Sequence, residues 1–454
     1  VVVVGGGGAG LAAAVEAAKT GCSVILIEKN PSLGGTTSLS VGSVSACCTS
    51  LQRRKGIEDS FDAFFEDIGL FNDRRGLNGR DNLKFRRLLV QESPATLQWL
   101  MELGIEFFGP MPEPPNRVPR MHNALPNSSV YVYRLRKEAR RRGVEMKLGT
   151  RGERLLVKTG RVAGVEATTA RGEKVSIMAS RGLVLAAGDY SSSAEMKESY
   201  LPPGIADIEG INPTSTGDGH RMAIEAGARM VNGDMLLGPE IRFLAPRLQP
   251  RVSRIPPYKP LARLTGLVLR SLPAGFLRPL MMSFITTYLA PSMKLFEEGS
   301  IFVNKEGRRF TNELDQPALA IPRQPERVAF ILFDAVVARK FSRWPYFIST
   351  APGVAYAYLD DYRRNRKDIY AEGPSLEALA RRLGMPEASL QAVAREYNGY
   401  VGHGQDAAFG RTHVGSGLKV PPFYALGPAK SWVAVTDGGL AVTSGMEVLN
   451  KDGD

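Results

Sequence analysis

Residues 1–14 read Val1-Val-Val-Val-Gly5-Gly-Gly-Gly-Ala-Gly10-Leu-Ala-Ala-Ala14, four valines running directly into glycines at positions 5, 7 and 10. A short apolar run bounded by glycine predicts a buried strand of a parallel sheet. The small-residue stretch from Ala9 to Thr20, stopped by Gly21, predicts a helix. A second apolar run, Ser23-Val-Ile-Leu-Ile27, ends on an acid, Glu28. Strand, glycines, helix, strand and acid in this register are what a βαβ nucleotide site requires. Gly5 supplies the tight turn, Gly7 lets a diphosphate approach the backbone, and Gly10 lets helix and strand pack closely. The N–H groups of the helix start, where Gly8 and Ala9 fall, face the phosphates, and Glu28 accepts hydrogen bonds from a ribose.

The next segment narrows the ligand. Lys29-Asn-Pro-Ser-Leu33 leads into Gly34-Gly35-Thr36-Thr37-Ser38-Leu39-Ser40-Val41-Gly42. Two glycines and a row of short hydroxyls suit a backbone lying against a flat polar ring system and its pyrophosphate, which a nicotinamide-only domain does not need at this point. With Glu28, this pattern resembles the FAD-binding fold of the fumarate reductase and succinate dehydrogenase flavoprotein family. Its GGTTSLS string is most similar to the 3-ketosteroid Δ1-dehydrogenase branch.

Further strings extend the resemblance over nearly the whole chain. Leu183-Val-Leu-Ala-Ala187-Gly188 is similar to the strand and turn that pass the flavin a second time. Thr216-Gly-Asp218-Gly219 is similar to a helix start whose aspartate binds FAD. Ile301-Phe-Val-Asn304 through Arg309-Phe-Thr-Asn312-Glu313 and Thr436-Asp-Gly438-Gly439 follow in the family's order. The resemblance implies an α/β Rossmann-like FAD-binding domain with an inserted substrate-capping domain. It implies FAD contacts at Lys29, Gly35, Thr36, Thr37, Val41, Gly42, Ala187, Gly188, Asp218 and Gly438, besides the glycines and Glu28 above. No histidine lies between Thr36 and Gly42, so the flavin is expected to be bound non-covalently.

On this reading residues 1–235 form the first segment of the FAD-binding domain, 236–428 the cap, and 429–454 the return to the FAD-binding domain. Its C-terminal part is expected to lie beyond the chain, which reads as a fragment at both ends. Phe61 to Leu103 is expected to be helical, and Ala434 to Leu449 strand-like. Three cysteines give no paired disulfide framework, which fits a reducing, cytoplasmic setting. Cys47-Cys48 reads as two small residues filling a packed strand rather than as a redox pair. Four scattered histidines lack metal-ligand spacing, and no metal is expected.

The formal charge is +12. No aromatic-interleaved basic patch accompanies it, so nucleic acid is not the expected partner. One concentration, Arg134 to Arg142, reads as a solvated helix face. The other runs through residues 245–295, where arginines and prolines interrupt apolar runs too often for a bilayer span. That segment suits either a lid packed on the cap or peripheral contact with an anionic membrane surface.

The resemblance implies hydride transfer between FAD and a carbon next to a carbonyl, with a side chain handling the neighbouring proton. Fumarate reductases carry an arginine, and steroid dehydrogenases a tyrosine, shortly after the Asn-Glu corresponding to Asn312-Glu313. This chain has neither there, reading Leu314-Asp315-Gln316-Pro317-Ala318. Trp432-Val-Ala-Val435 also lacks the fumarate reductase histidine. Asp315, Tyr356 and Tyr358 remain as candidates for the proton chemistry. The expected function is dehydrogenation or reduction of a C–C bond alpha–beta to a carbonyl in an apolar, ketosteroid-like small molecule. A fumarate reductase-like enzyme of an unsaturated carboxylate, or a non-catalytic flavin-binding protein at membranes, stands as the alternative. No second dinucleotide motif is present, so a quinone or a small electron carrier is the expected redox partner.

Overall fold

The computed structural model describes residues 1–453 except 78, 247–254, 274–277, 279–281, 283–285, 288 and 352–354. β1 (Val2–Val4) and β2 (Ile25–Glu28) lie side by side in a four-stranded parallel sheet, flanked by the strands Leu183–Leu185 and Glu145–Leu148. Valines and isoleucines at every position suit such a sheet because both its faces are covered. Side chains alternate across it. Val3 and Leu26 face a core with Leu11, Ala14 and Val15 of α1 (Gly8–Lys19) and Leu135 of the helix Ser129–Arg141. Val2, Val4 and Ile27 face Leu155, Val165 and Ile177, which belong to a three-stranded antiparallel sheet over residues 150–178.

A second antiparallel unit joins the strands Ser43–Ser45, Met121–Leu125 and Glu106–Met111. The expected helix over Phe61 to Leu103 is two helices, Phe61–Arg74 and Leu83–Glu102. The break is made by Gly76 and Gly79, both at positive φ, and Asn82 then caps the second helix through its side chain. Cys47 and Cys48 are not in a strand. They follow Ser43–Ser45 in a bend where Cys48 takes a φ of 53°, and buried Cys47 packs against Phe64 and Val90.

The rest of the chain is built on one long strand, Phe423–Val433, which pairs with Glu209–Gly210, Glu240–Phe243, Ala329–Phe333 and Tyr370–Gly373. Ala329–Phe333 is buried throughout, and its residues alternate between two cores. Ile331 and Phe333 meet Phe296, Phe302 and Tyr362, whereas Phe330 and Leu332 meet Leu379, Leu390 and Tyr397. Beyond Val433 the chain crosses back through two short strands, Val435–Thr436 and Gly439–Leu440, paired with Leu236–Leu237 and Met230–Val231. The strand-like stretch expected to Leu449 is therefore two short ladders and an isolated bridge between Val442 and Val448.

Four buried ionic side chains lock this unit. Arg309 donates to both oxygens of Glu313 at 2.8 and 2.7 Å and pairs with Asp406 at 2.6 Å, while Arg411 reaches Glu313 at 2.9 Å. Burial works against the Arg309 charge, but the two carboxylates more than offset it and hold the guanidinium protonated. These charges are mutually neutralising and packed between Tyr397 and Phe409, a fold-holding arrangement that leaves no free group for chemistry.

Within Met121–Leu125, His122 is fully buried with Nε2 against Thr49 Oγ1 at 3.1 Å. Burial pushes its pKa down to about 4. The unfolded chain, titrating near 6.5, therefore takes up the proton first. The stabilisation is complete above that value and is lost as pH falls toward 4. Between pH 6.5 and 5 this one group should remove about 2 kcal/mol. Urea midpoints measured at both pH values should show that loss, and a His122→Asn variant should show a flatter acid limb.

Candidate functional site

The glycines of the first turn have separable roles. Gly5 sits at φ 109°, where a Cβ would lie 2.3 Å from the Ala186 carbonyl oxygen. A Cβ on Gly10 would come within 1.9 Å of the Gly5 carbonyl oxygen. Both positions are closed by backbone, so strand, helix start and the end of Leu183–Leu185 meet without side chains between them. Gly7 is different: a Cβ there would meet only the Gly34 carbonyl oxygen, at 3.9 Å. Opposite it, a Cβ on Gly35 would meet only the Gly7 Cα, at 3.8 Å. The two backbones form the walls of an open cleft.

The cleft carries its own donors. The Gly6 amide donates to Glu28 Oε2 at 2.7 Å and the Gly8 amide to Thr37 Oγ1 at 3.0 Å. Among the described residues the amides of Gly7, Ala9 and Gly10 have no protein acceptor, and they lie at the positive end of α1. An unpaired amide trio at a helix start, beside a glycine whose side-chain space is empty, fits a pyrophosphate. Glu28, almost wholly buried, also accepts from the Asn30 amide at 2.8 Å. This fixes the carboxylate at the end of β2.

α2 (Gly35–Leu39) lines the next stretch of the cleft. Thr36, Ser38 and Ser40 are exposed, and so are Leu39 and Val41. Two exposed aliphatic side chains among hydroxyls form a surface that a planar ring with polar edges would cover. Asn212 Nδ2 donates to Thr36 Oγ1 at 2.9 Å. Gly42, at φ 84°, is tied by its carbonyl oxygen to Tyr131 Oη at 2.9 Å.

Across the cleft, Gly188 takes a φ of 80° directly after Ala187. Gly438 is closed: a Cβ there would lie 2.5 Å from the Tyr190 hydroxyl. Asp218, at the first position of the helix Asp218–Glu225, accepts from Lys29 Nζ and Arg151 Nη2, both at 2.8 Å, and from Arg221. Burial opposes its ionisation, yet Lys29 and Arg151 hold the carboxyl far below the usual carboxylate range. In this structure its oxygens are occupied by protein cations, and its evident work is to hold Lys29 and Arg151 beside β2.

Sequence reading missed Asp189, which accepts from the Ser191 hydroxyl at 2.9 Å and the Thr436 amide at 3.1 Å. It thereby staples the Gly188 turn to the ribbon carrying Gly438. Of the proton-transfer candidates, Asp315 is exposed on a turn. Tyr358 precedes the helix Leu359–Asn365, its amide donating to Asp361 Oδ2 at 2.8 Å. Tyr356 is half-buried between Trp344 and Phe347, with ring centroids 5.0 and 5.1 Å away. Phe347 lines a cleft of about 340 Å³ with Glu240, Arg242, Leu289, Ser292 and Ser349, and Arg278 touches both the Tyr356 carbonyl and the Tyr358 ring.

Residues 1–240 match the family described as FAD binding domain. The chain belongs to that family. The amide trio and open cleft would hold the FAD pyrophosphate, Glu28 the ribose, and α2 the ring. A probable fumarate reductase of Shewanella frigidimarina is 28% identical over 456 residues, covering 99% of this chain and 67% of that one. The next two curated relatives are covered over only 43% and 46% of their own length. The open conformation of a flavocytochrome c3 fumarate reductase superposes with a TM-score of 0.70 at 28% identity, over 100% of this chain and 70% of that one. The 3-ketosteroid Δ1-dehydrogenase of Sterolibacterium denitrificans shares the fold, with a TM-score of 0.61 at 20% identity over 99% of this chain and 90% of that one.

Gly7→Val should fill the cleft without touching the sheet. Shielding several amide donors from the pyrophosphate at once should weaken FAD binding on the order of 100-fold, measured by flavin fluorescence, with the urea midpoint held. Gly10→Ala should instead lower the urea midpoint, because its Cβ meets backbone.

Proposed function

We propose that the protein is a FAD-dependent oxidoreductase acting on a C–C bond alpha–beta to a carbonyl, and that its substrate is an uncharged, ring-containing molecule of the ketosteroid kind. The observation that carries the substrate class is the 340 Å³ cap cleft. Among its described lining residues the one cation, Arg242, is neutralised by Glu240 at 2.9 and 2.6 Å. What remains are hydroxyls, aliphatic carbons and the Phe347 ring, a lining suited to a carbonyl-bearing apolar body and poor for a dicarboxylate. The cleft lies on Glu240–Phe243, just past the Leu236–Leu237 strand that pairs with the ribbon leading to Gly438.

FAD, held non-covalently, supplies hydride transfer at its N5. With FAD bound, Tyr356 would take the proton from the carbon next to the one exchanging hydride with the flavin, or return it in the reverse direction. A quinone or small electron carrier exchanges the electrons. A second reading, a reductase of an unsaturated carboxylate, is favoured by the 28% identity to a probable fumarate reductase over nearly the whole chain. Against it stand the absent arginine at 314–318 and the absent histidine at 432–435.

Anaerobic visible spectra of the FAD-loaded protein distinguish these. Bleaching by a 3-ketosteroid is expected. Oxidation of chemically reduced flavin by fumarate, without steroid bleaching, would establish the second reading. Flavin inert to both would leave a flavin-binding protein without this turnover. Tyr356→Phe should retain flavin and slow bleaching on the order of 100-fold; an unchanged rate would remove Tyr356 from the mechanism.

A further inference from the structure

The helix Lys259–Ser271 falls within the segment read as a cap lid, but it packs elsewhere. Its buried residues, Ala262 and Gly266, face the antiparallel unit of residues 43–125, where a Cβ on Gly266 would lie 3.1 Å from Leu125. Arg263 reaches Glu106 at 3.2 Å, Arg270 donates to the Phe107 carbonyl at 3.3 Å, and the Tyr258 ring meets Tyr133 edge-on. The small residues bring the helix close to its support and leave its larger apolar side chains facing out. Leu264 is 56% exposed and Leu267 60%, with Val268 and Leu272 beside them. At spacings of three and four these form one outward stripe. Lys259, Arg263 and Arg270 follow one edge of it by the same periodicity.

Along the sequence the charge here has one sign. No aspartate or glutamate occurs between Glu240 and Glu297, while arginine and lysine recur throughout. Among the described residues no carboxylate pairs with Lys259 or Arg270, and Glu106 is the acid in contact with Arg263. No helix among the described residues is long and apolar enough to cross a membrane.

We propose that the outward face of Lys259–Ser271 binds the surface of an anionic lipid bilayer. Leu264, Leu267, Val268 and Leu272 enter the interface, and Lys259, which has no protein partner among the described residues, sits at headgroup level. A fixed, solvent-facing aliphatic stripe with cations along one edge has the chemistry of an interfacial helix. Anionic headgroups complement the charge in a way that a neutral apolar partner would not. The helix is already folded on its support, so insertion does not carry the cost of ordering it.

The test is flotation of the FAD-loaded protein with vesicles of phosphatidylcholine alone and of phosphatidylcholine with phosphatidylglycerol. Binding to the anionic vesicles, weakened by added salt, is expected. Leu264→Asp with Leu267→Asp should reduce it at least about tenfold. Lys259→Glu should reduce it by about fivefold or more. Both leucines and the lysine are exposed, and an unchanged urea midpoint with full flavin content would show that the fold is intact. Failure of the wild type to float with anionic vesicles would overturn the proposal, as would equal flotation of the leucine variant. A wild-type dimer that the leucine variant converts to a monomer, with no lipid binding by either, would overturn it in favour of self-association. Flavin bleaching is read separately, so neither outcome bears on the substrate.

Discussion

Everything at the flavin end depends on one backbone approach. The Gly5 carbonyl, the first turn of α1 and the Ala186 carbonyl occupy a space in which no Cβ fits. That contact sets the angle at which α1 leaves the sheet, and so directs its unpaired amides across the cleft rather than into the core. It also fixes how near the Ala187–Gly188 turn stands to β1. The cleft at Gly7 and Gly35 is the complement of this closeness. Two glycines serve contact and two serve space, which explains why glycines of such different surroundings sit within a few residues.

Charge divides the molecule along similar lines. In the cap, Arg309, Glu313, Asp406 and Arg411 neutralise one another in the core, so their work is to hold loops onto the sheet around Phe423–Val433. Near the cleft, one carboxylate gathers several cations: Asp218 with Lys29, Arg151 and Arg221. That cluster keeps a net positive charge beside the end of β2, which favours an anionic ligand there. Buried neutral networks stabilise, and partly exposed unbalanced ones attract ligands. The two kinds occur here in the places their chemistry suits.

The first strand, the glycine turn, α1 and Glu28 were legible because each carries a local constraint that any βαβ nucleotide site imposes. The Thr216–Gly219 helix start was legible only through the family resemblance, and the structure places Gly217 at positive φ before the helix. What sequence could not give was who meets whom. The partners of Asp218 come from residues 29, 151 and 221, and Asp189 bonds to Thr436 across a gap of 247 residues. The helical stretch over Phe61 to Leu103 was legible, and its break falls at the glycines near Gly76. The placement of Lys259–Ser271 was not readable at all. Its pattern identifies an amphipathic helix, but which side is outward depends on Ala262 and Gly266 finding a surface formed far earlier in the chain.

A shared fold settles the cofactor and leaves the substrate to the cap. In the unit built on Phe423–Val433, several arginines are already engaged. Arg309 and Arg411 bind Glu313, Arg278 binds Asp361, Arg366 binds Asp368, and Arg242 binds Glu240. Freeing Arg309 or Arg411 for another anion would strand buried Glu313, a cost of several kcal/mol. The internal pairing of these arginines therefore commits their charge to holding the fold.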